Sequence, residues 1–196
     1  MLAAHVIFGA YGFWLPNDPR GSWSTFVGSW ELFRHGPATK TTETSSLARR
    51  PHDRAERLAA KTALKRPAVQ FTGIQARAVA RGFARYTERS GLRTFACAVL
   101  PDHVHLVMAP ARIAIPQVVI QLKGEATLQL VEEGIHPFAG LRDKHGRLPK
   151  CFARGQWKVY LDDTVDVRRA IRYVEDNPLK EGKPRQRWGF VTGFGG

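Results

Sequence analysis

The sequence predicts an α+β chain, an antiparallel sheet with helices packed on one face plus a basic helical insertion, and three observations predict it. Two apolar runs at 92–100 and 103–109, joined by the tight Pro101-Asp102, read as a β-hairpin. Segments with helical spacing stand around it at 72–91, 115–134 and 166–177. Hydrophobic residues at 43% and charged residues at 24% match ordinary globular usage, which excludes wholesale disorder, a collagen-like repeat and a coiled coil. A chain of 196 residues suits one domain, here 1–196, with a basic insertion at about 39–72.

The opening AAHVIFGA, residues 3–10, reads as a short buried strand, followed by YGFWLPNDPRGSW, where turn residues alternate with aromatics. Pro16 and Pro19 fix the backbone there and Gly21 permits a tight turn, so this loop is built rather than floppy. It is read either as a structural lid or as a rigid mount that presents Arg20 to a phosphate. From Thr39 to about Arg50 the composition turns to Thr, Ser and basic residues, and DRAERLAAKTALK from Asp53 to Lys65 is helix-forming until Pro67. The next helix opens at Thr72, with Gln75 placed for a capping box, and runs to near Gly91. Along it Arg77, Arg81, Arg85 and Arg89 recur every four residues, and Ile74, Val79, Phe83 and Tyr86 supply the apolar side. That stripe is a solvated face or a clamp on a nucleic-acid backbone. Residues 115–134 form an amphipathic helix ending at a glycine, and 135–150 a polar, glycine-containing loop that reads as mobile. GQWKVYLDD reads as a strand and 166–177 as a helix that stops before Pro178. The tail GKPRQRWGFVTGFGG is irregular, with Arg185 and Arg187 placed to contact DNA and Trp188 either stacking on a base or packing inward.

Thirty Lys+Arg against 17 Asp+Glu leave a net +13, which points to a polyanion as partner. The excess is uneven, with 13 basic against 4 acidic residues between 40 and 96. No apolar run reaches the roughly 18 residues that cross a bilayer, and the start lacks the features of a signal peptide. A cytoplasmic protein without a membrane partner is expected. Cys97 and Cys151, far apart, suggest small buried residues rather than a disulfide or a thiolate metal site.

His103 and His105 lie one residue apart in the expected strand, so both imidazoles fall on one face. Such a pair is either a hydrogen-bonded structural feature or two nitrogen ligands for one metal ion. Tyr173 and Asn177 lie one turn apart on the last helix, while Val167, Ile171 and Val174 anchor its other side. His5 is read as a core residue of the first strand or as a neighbour of the site.

Taken together, these segments resemble the REP-associated tyrosine transposases, relatives of the single-tyrosine transposases of small insertion sequences. FACAVLPDHVHLVM is similar to their HUH motif (His, bulky hydrophobic, His) and the strand before it. RYVEDNPLKEG is similar to their tyrosine helix, and GQWKVYLDDTVDVRRAI to the Trp-containing strand and acidic lead-in to that helix. The resemblance covers about 92–182 and touches the opening strand and WLPNDPRGSW. It implies a ferredoxin-like or RRM-like sheet with both histidines on a central strand. It further implies that Tyr173 is the nucleophile, and that His103, His105 and Asn177 hold Mg2+ or Mn2+, Asn standing where relatives more often have Gln. The implied reaction is cleavage of single-stranded DNA at hairpin-forming palindromic repeats, leaving a 5′-phosphotyrosine and a free 3′-OH, and strand transfer by its reversal. The alternative is a non-catalytic or domesticated hairpin-binding protein or repressor. A replication initiator or relaxase is disfavoured by the short chain and by the order HUH before Tyr. Monomer and homodimer are both open.

Overall fold

Strand β1 (Ala3–Gly9) has no solvent side: Ala4, Val6 and Phe8 enter one core, and by alternation Ala3, His5 and Ile7 face the other way, where Ala3 joins a second. A strand buried on both faces must sit inside a sheet with cover on each side, and it does. The computed structural model describes residues 1–16, 30–36 and 53–195. Strands β2 (Thr94–Val99), β3 (His103–Met108) and β4 (Trp157–Leu161) complete a four-stranded sheet of order β2-β3-β1-β4 with every pair antiparallel. Helices α1 (Trp30–Phe33), α2 (Arg54–Thr62) and α3 (Gly73–Ser90) fill the crossover after β1. Helix α4 (Ile115–Glu132) fills the one after β3, and α5 (Thr164–Lys180) trails β4. With α3 and α4 as its crossover helices this is the expected ferredoxin-like βαββαβ order, extended by α5.

The helix ends follow local chemistry. At α3 the Gln75 N–H donates to Thr72 Oγ1 (3.2 Å) and the Thr72 N–H to Gln75 Oε1 (2.9 Å), while Gly91 closes the helix in the left-handed region at φ 68°. Asp53 caps α2 and Asp163 caps α5, each accepting a backbone N–H three residues on; such a cap contributes about 1 kcal/mol.

Helices α3 and α4 share one face of the sheet, with Val79, Phe83, Val118, Leu122 and Leu130 meeting Val6, Phe8, Leu106 and Met108. Their crossing is set by Gly82, where an added Cβ would lie 2.6 Å from Ala126 Cα and Glu125 O. Helix α5 takes the opposite face, where Val167, Ala170 and Val174 pack with Ala98, Val107 and Leu161. Ile171 packs against that cluster, as expected of the helix's anchoring side.

Helices thus cover both faces of the sheet, not the one face expected, because α5 adds an apolar side of its own, and three further details differ from the sequence reading. Helix α5 runs through Pro178 to Lys180, because a proline in a last turn removes only one intrahelical N–H bond. Ile74 is 57% exposed rather than part of the apolar side of α3, since it sits in the first turn before the helix reaches the sheet. The loop 135–150 is anchored, with His136 and Phe138 buried and Asp143 accepting the N–H groups of His145 and Arg147. Of the expected basic insertion, 53–72 is described and 39–52 lies outside the described residues; Ala60 of α2 packs on Leu15 and Leu32.

The carboxy-terminal tail covers the outer edge of β2. The Gln186 side chain bonds both the N–H and the C=O of Val99 (2.8 Å each), Trp188 Nε1–H donates to Cys97 O (3.1 Å), and Thr192 N–H donates to Thr94 O (2.8 Å). An edge strand is thereby closed to further pairing. Cys97 and Cys151 are free and buried, and burial pushes both thiols up, Cys151 to about 11. No described helix is long and apolar enough to cross a membrane.

Candidate active site

The face of the sheet beneath α5 carries three histidines. Strand β3 presents His103 and His105, and β1 presents His5, one step along its neighbour because Ile7 pairs with His105 and His5 with Val107. The imidazoles form a chain. His103 Nδ1 meets Asp102 Oδ1 (2.6 Å), His103 Nε2 meets His105 Nε2 (3.0 Å), and His105 Nδ1 meets His5 Nε2 (3.1 Å).

Packing holds each ring. Phe13 stacks on His103 with centroids 4.7 Å apart, which requires the chain to fold back over Gly9, the β1 partner of His103. A Cβ at Gly9 would lie 2.5 Å from Phe13 Cβ, so only glycine admits this return. His5 stacks on His105 at 5.4 Å and meets the edges of Trp157 and Tyr173 at 5.6 and 5.8 Å.

Burial pushes His5 down to about 4. His105, 3% exposed, is lowered well below the ordinary histidine range by burial first, then by the charges of His103, His5 and Lys180. Both are therefore neutral at pH 7, the form in which imidazole offers a lone pair to a metal.

Helix α5 lays Tyr173 over this cluster. Its ring centroid is 5.6 Å from that of His105, and the side chain is 36% exposed, so the phenol is both near the imidazoles and open to a substrate. Lys180, two turns on, places its Nζ 4.0 Å from the Tyr173 ring centroid. Asn177, one turn beyond Tyr173, is 7% exposed, and its Nδ2 is buried without a hydrogen-bond partner among the described residues. A buried donor left unpaired costs about 1–3 kcal/mol, which an arriving acceptor would recover.

The donor set fits a hard or borderline divalent cation. Bonds of about 2.1 Å at right angles put adjacent ligand atoms about 3 Å apart, and the two Nε2 atoms stand 3.0 Å apart. The opposite nitrogen of each ring is held by a neighbour, as in metal-binding histidines. One ligand atom from each of Asp102, His103 and Glu181 lies within 4.8 Å of the others, so the Glu181 carboxylate is an oxygen donor near His103.

Of the residues singled out in the sequence, the structure brings together His5, His103, His105 and Tyr173, with Asn177 on the same helix, and of the two readings of His5 the neighbour of the site is the one seen. It does not bring the arginine stripe there. Arg81 makes a bidentate pair with Glu133, Arg85 pairs with Glu125 and Glu132, and Arg89 with Glu125, so three of the four arginines form an ion-pair ladder between α3 and α4 on the other side of the sheet. Arg77 is exposed on that same helix. Arg185 pairs with Asp176 of α5, and Arg187 is exposed on the tail. Arg20 lies outside the described residues. Trp188 packs against the core on the α3 side, away from the tyrosine helix. Sequence reasoning missed Asp102, Phe13, Lys180 and Glu181. The spacing 173, 177, 180, 181 marks one side of a helix, but the assumed stop at Pro178 hid its last two members.

No family model and no curated protein matches the chain. Among solved structures, it is similar to a REP-associated tyrosine transposase bound to a REP hairpin, at 12% identity and TM-score 0.49 over 92% of this chain and 68% of that one. It is also similar to a candidate transposase from Deinococcus radiodurans R1, at 14% identity and TM-score 0.38 over 93% and 92% of the two chains. Both TM-scores lie below 0.5, and the chemistry of the site stands on this chain's own residues.

Proposed function

We propose that this protein is a metal-dependent endonuclease and strand transferase, a transposase, acting on single-stranded DNA at hairpin-forming repeats. The observation that carries the reading is the meeting of Tyr173 with the convergent His103 and His105 pair under one helix. The net charge of +13 supports a polyanionic substrate, and the hairpin follows from the resemblance of the HUH and tyrosine-helix segments.

In this reading the Tyr173 oxygen attacks the scissile phosphorus, the new O–P bond replaces the P–O3′ bond, and the phenol proton is released as the departing 3′ oxygen takes one up. The 5′ phosphate stays on Tyr173, and attack by another 3′-OH reverses the step and joins strands. A phenol of ordinary pKa about 10 is a weak nucleophile at neutral pH, and Mg2+ or Mn2+ held by His103, His105 and Asn177 would polarise the phosphate enough to compensate. Asn177 Nδ2, buried without a partner among the described residues, would gain its missing acceptor from a phosphate oxygen. Lys180 offers a cation beside the phenol ring.

End-labelled single-stranded hairpin DNA incubated with Mn2+ or Mg2+ tests this. Cleavage is expected, and its loss with chelator and in His105→Ala. Loss in Asn177→Ala with retention in Glu181→Gln assigns the third ligand to Asn177, and the reverse pattern to Glu181. Cleavage indifferent to chelator contradicts the metal role; tight binding with no cleavage under either ion favours the hairpin-binding alternative.

A further inference from the structure

A hydrogen bond between two neutral imidazoles needs one N–H and one lone pair, so the chain Asp102, His103, His105, His5 has a direction. Where His103 donates its Nδ1–H to Asp102 at 2.6 Å and carries no second proton, its Nε2 is a lone pair. The 3.0 Å contact then requires His105 to carry its proton on Nε2. His105 Nδ1 is left as an acceptor for His5 Nε2–H at 3.1 Å. A cation held by both Nε2 atoms requires the opposite tautomer of His105, with the proton on Nδ1 and the lone pair on Nε2. Only a partner able to accept as well as donate can follow that exchange.

We propose that His5 is a positioning residue that switches from donor to acceptor toward His105 Nδ1, and so sets the tautomer that presents His105 Nε2 to a divalent cation. The inference rests on the metal role proposed above. Three observations carry it: the 3.1 Å contact, the clamping of the His5 ring between His105, Trp157 and Tyr173, and the symmetry with Asp102, which holds the far nitrogen of His103. An imidazole suits this position where a carboxylate does not. His5 is 8% exposed on a central strand, where a fixed negative charge would be costly to bury.

The test combines nitrogen NMR of the histidine side chains with Mn2+ titration followed by electron paramagnetic resonance. In the metal-free protein His105 and His5 carry their protons on Nε2; saturating Mg2+ moves both to Nδ1. His5→Phe keeps a stacked ring but neither donates nor accepts, and weakens Mn2+ binding by about 10–100-fold. His5→Gln, whose amide does either, restores most of that loss, and thermal unfolding without metal monitors the folding of both variants. Wild-type Mn2+ affinity in a folded His5→Phe, or a His105 whose tautomer is unmoved by Mg2+ in the wild type, overturns the proposal alone. A wild type that binds no Mn2+ overturns it together with the proposed function.

Discussion

At Gly82 a hydrogen stands where any other residue would drive a Cβ to 2.6 Å from the backbone of α4. Alanine is the better helix former by about 1 kcal/mol, yet backbone cannot yield as a flexible side chain can. Gly82→Ala is therefore expected to lower stability by about 1–3 kcal/mol in urea unfolding; a variant more stable than the wild type contradicts this account of the crossing. Gly9 plays the same part at the site, admitting Phe13 onto His103. At this scale the sequence was legible where spacing alone decides the outcome. One intervening residue puts His103 and His105 on one face, and the Thr72 and Gln75 pair marks a helix start. It was not legible where the chain returns on itself, so neither Phe13 nor the partnership of His5 with His105, 100 residues away, could be read from local pattern.

The elements show what periodicity leaves undecided. Four arginines at four-residue intervals on α3 look alike whether they face solvent, a phosphate backbone or a neighbouring helix. Three of the four meet acids of α4 and its cap, Glu125, Glu132 and Glu133 pairing with Arg81, Arg85 and Arg89, while Arg77 is exposed. Each phosphate contact contributes about 0.9 to the salt dependence of duplex binding and about 0.7 on single strands. Replacing Arg81 and Arg85 by alanine is expected to leave the salt slope of hairpin binding unchanged while lowering the unfolding temperature; a slope reduced by about one unit per arginine would return the stripe to DNA contact. Helix α5 teaches the complementary lesson. Its apolar side is readable from Val167, Ile171 and Val174, but Pro178 reads as a stop although its place in the last turn makes it tolerable. Lys180 and Glu181 were lost to view for that reason.

For the whole molecule, the α+β class and the strand and helix sequence were readable because each strand is strongly apolar and each crossover helix amphipathic. Strand order was not implied by any local signal and came from the family resemblance. The order β2-β3-β1-β4 places β1 and β3 side by side at the centre, and α5 crosses that face, so three segments distant in sequence supply His5, His103, His105 and Tyr173 to one spot. The opposite face is given over to α3, α4 and their ion pairs, which separates stability from chemistry. The central claim is that Tyr173 becomes covalently attached to a DNA 5′ phosphate. Mass spectrometry of trypsin-digested protein after reaction with single-stranded hairpin DNA and Mn2+ tests it most directly. The account predicts a nucleotide adduct on the peptide from Tyr173 to Lys180, absent with chelator and in Tyr173→Phe; strand cleavage that persists in Tyr173→Phe, or an adduct on another residue, would contradict it.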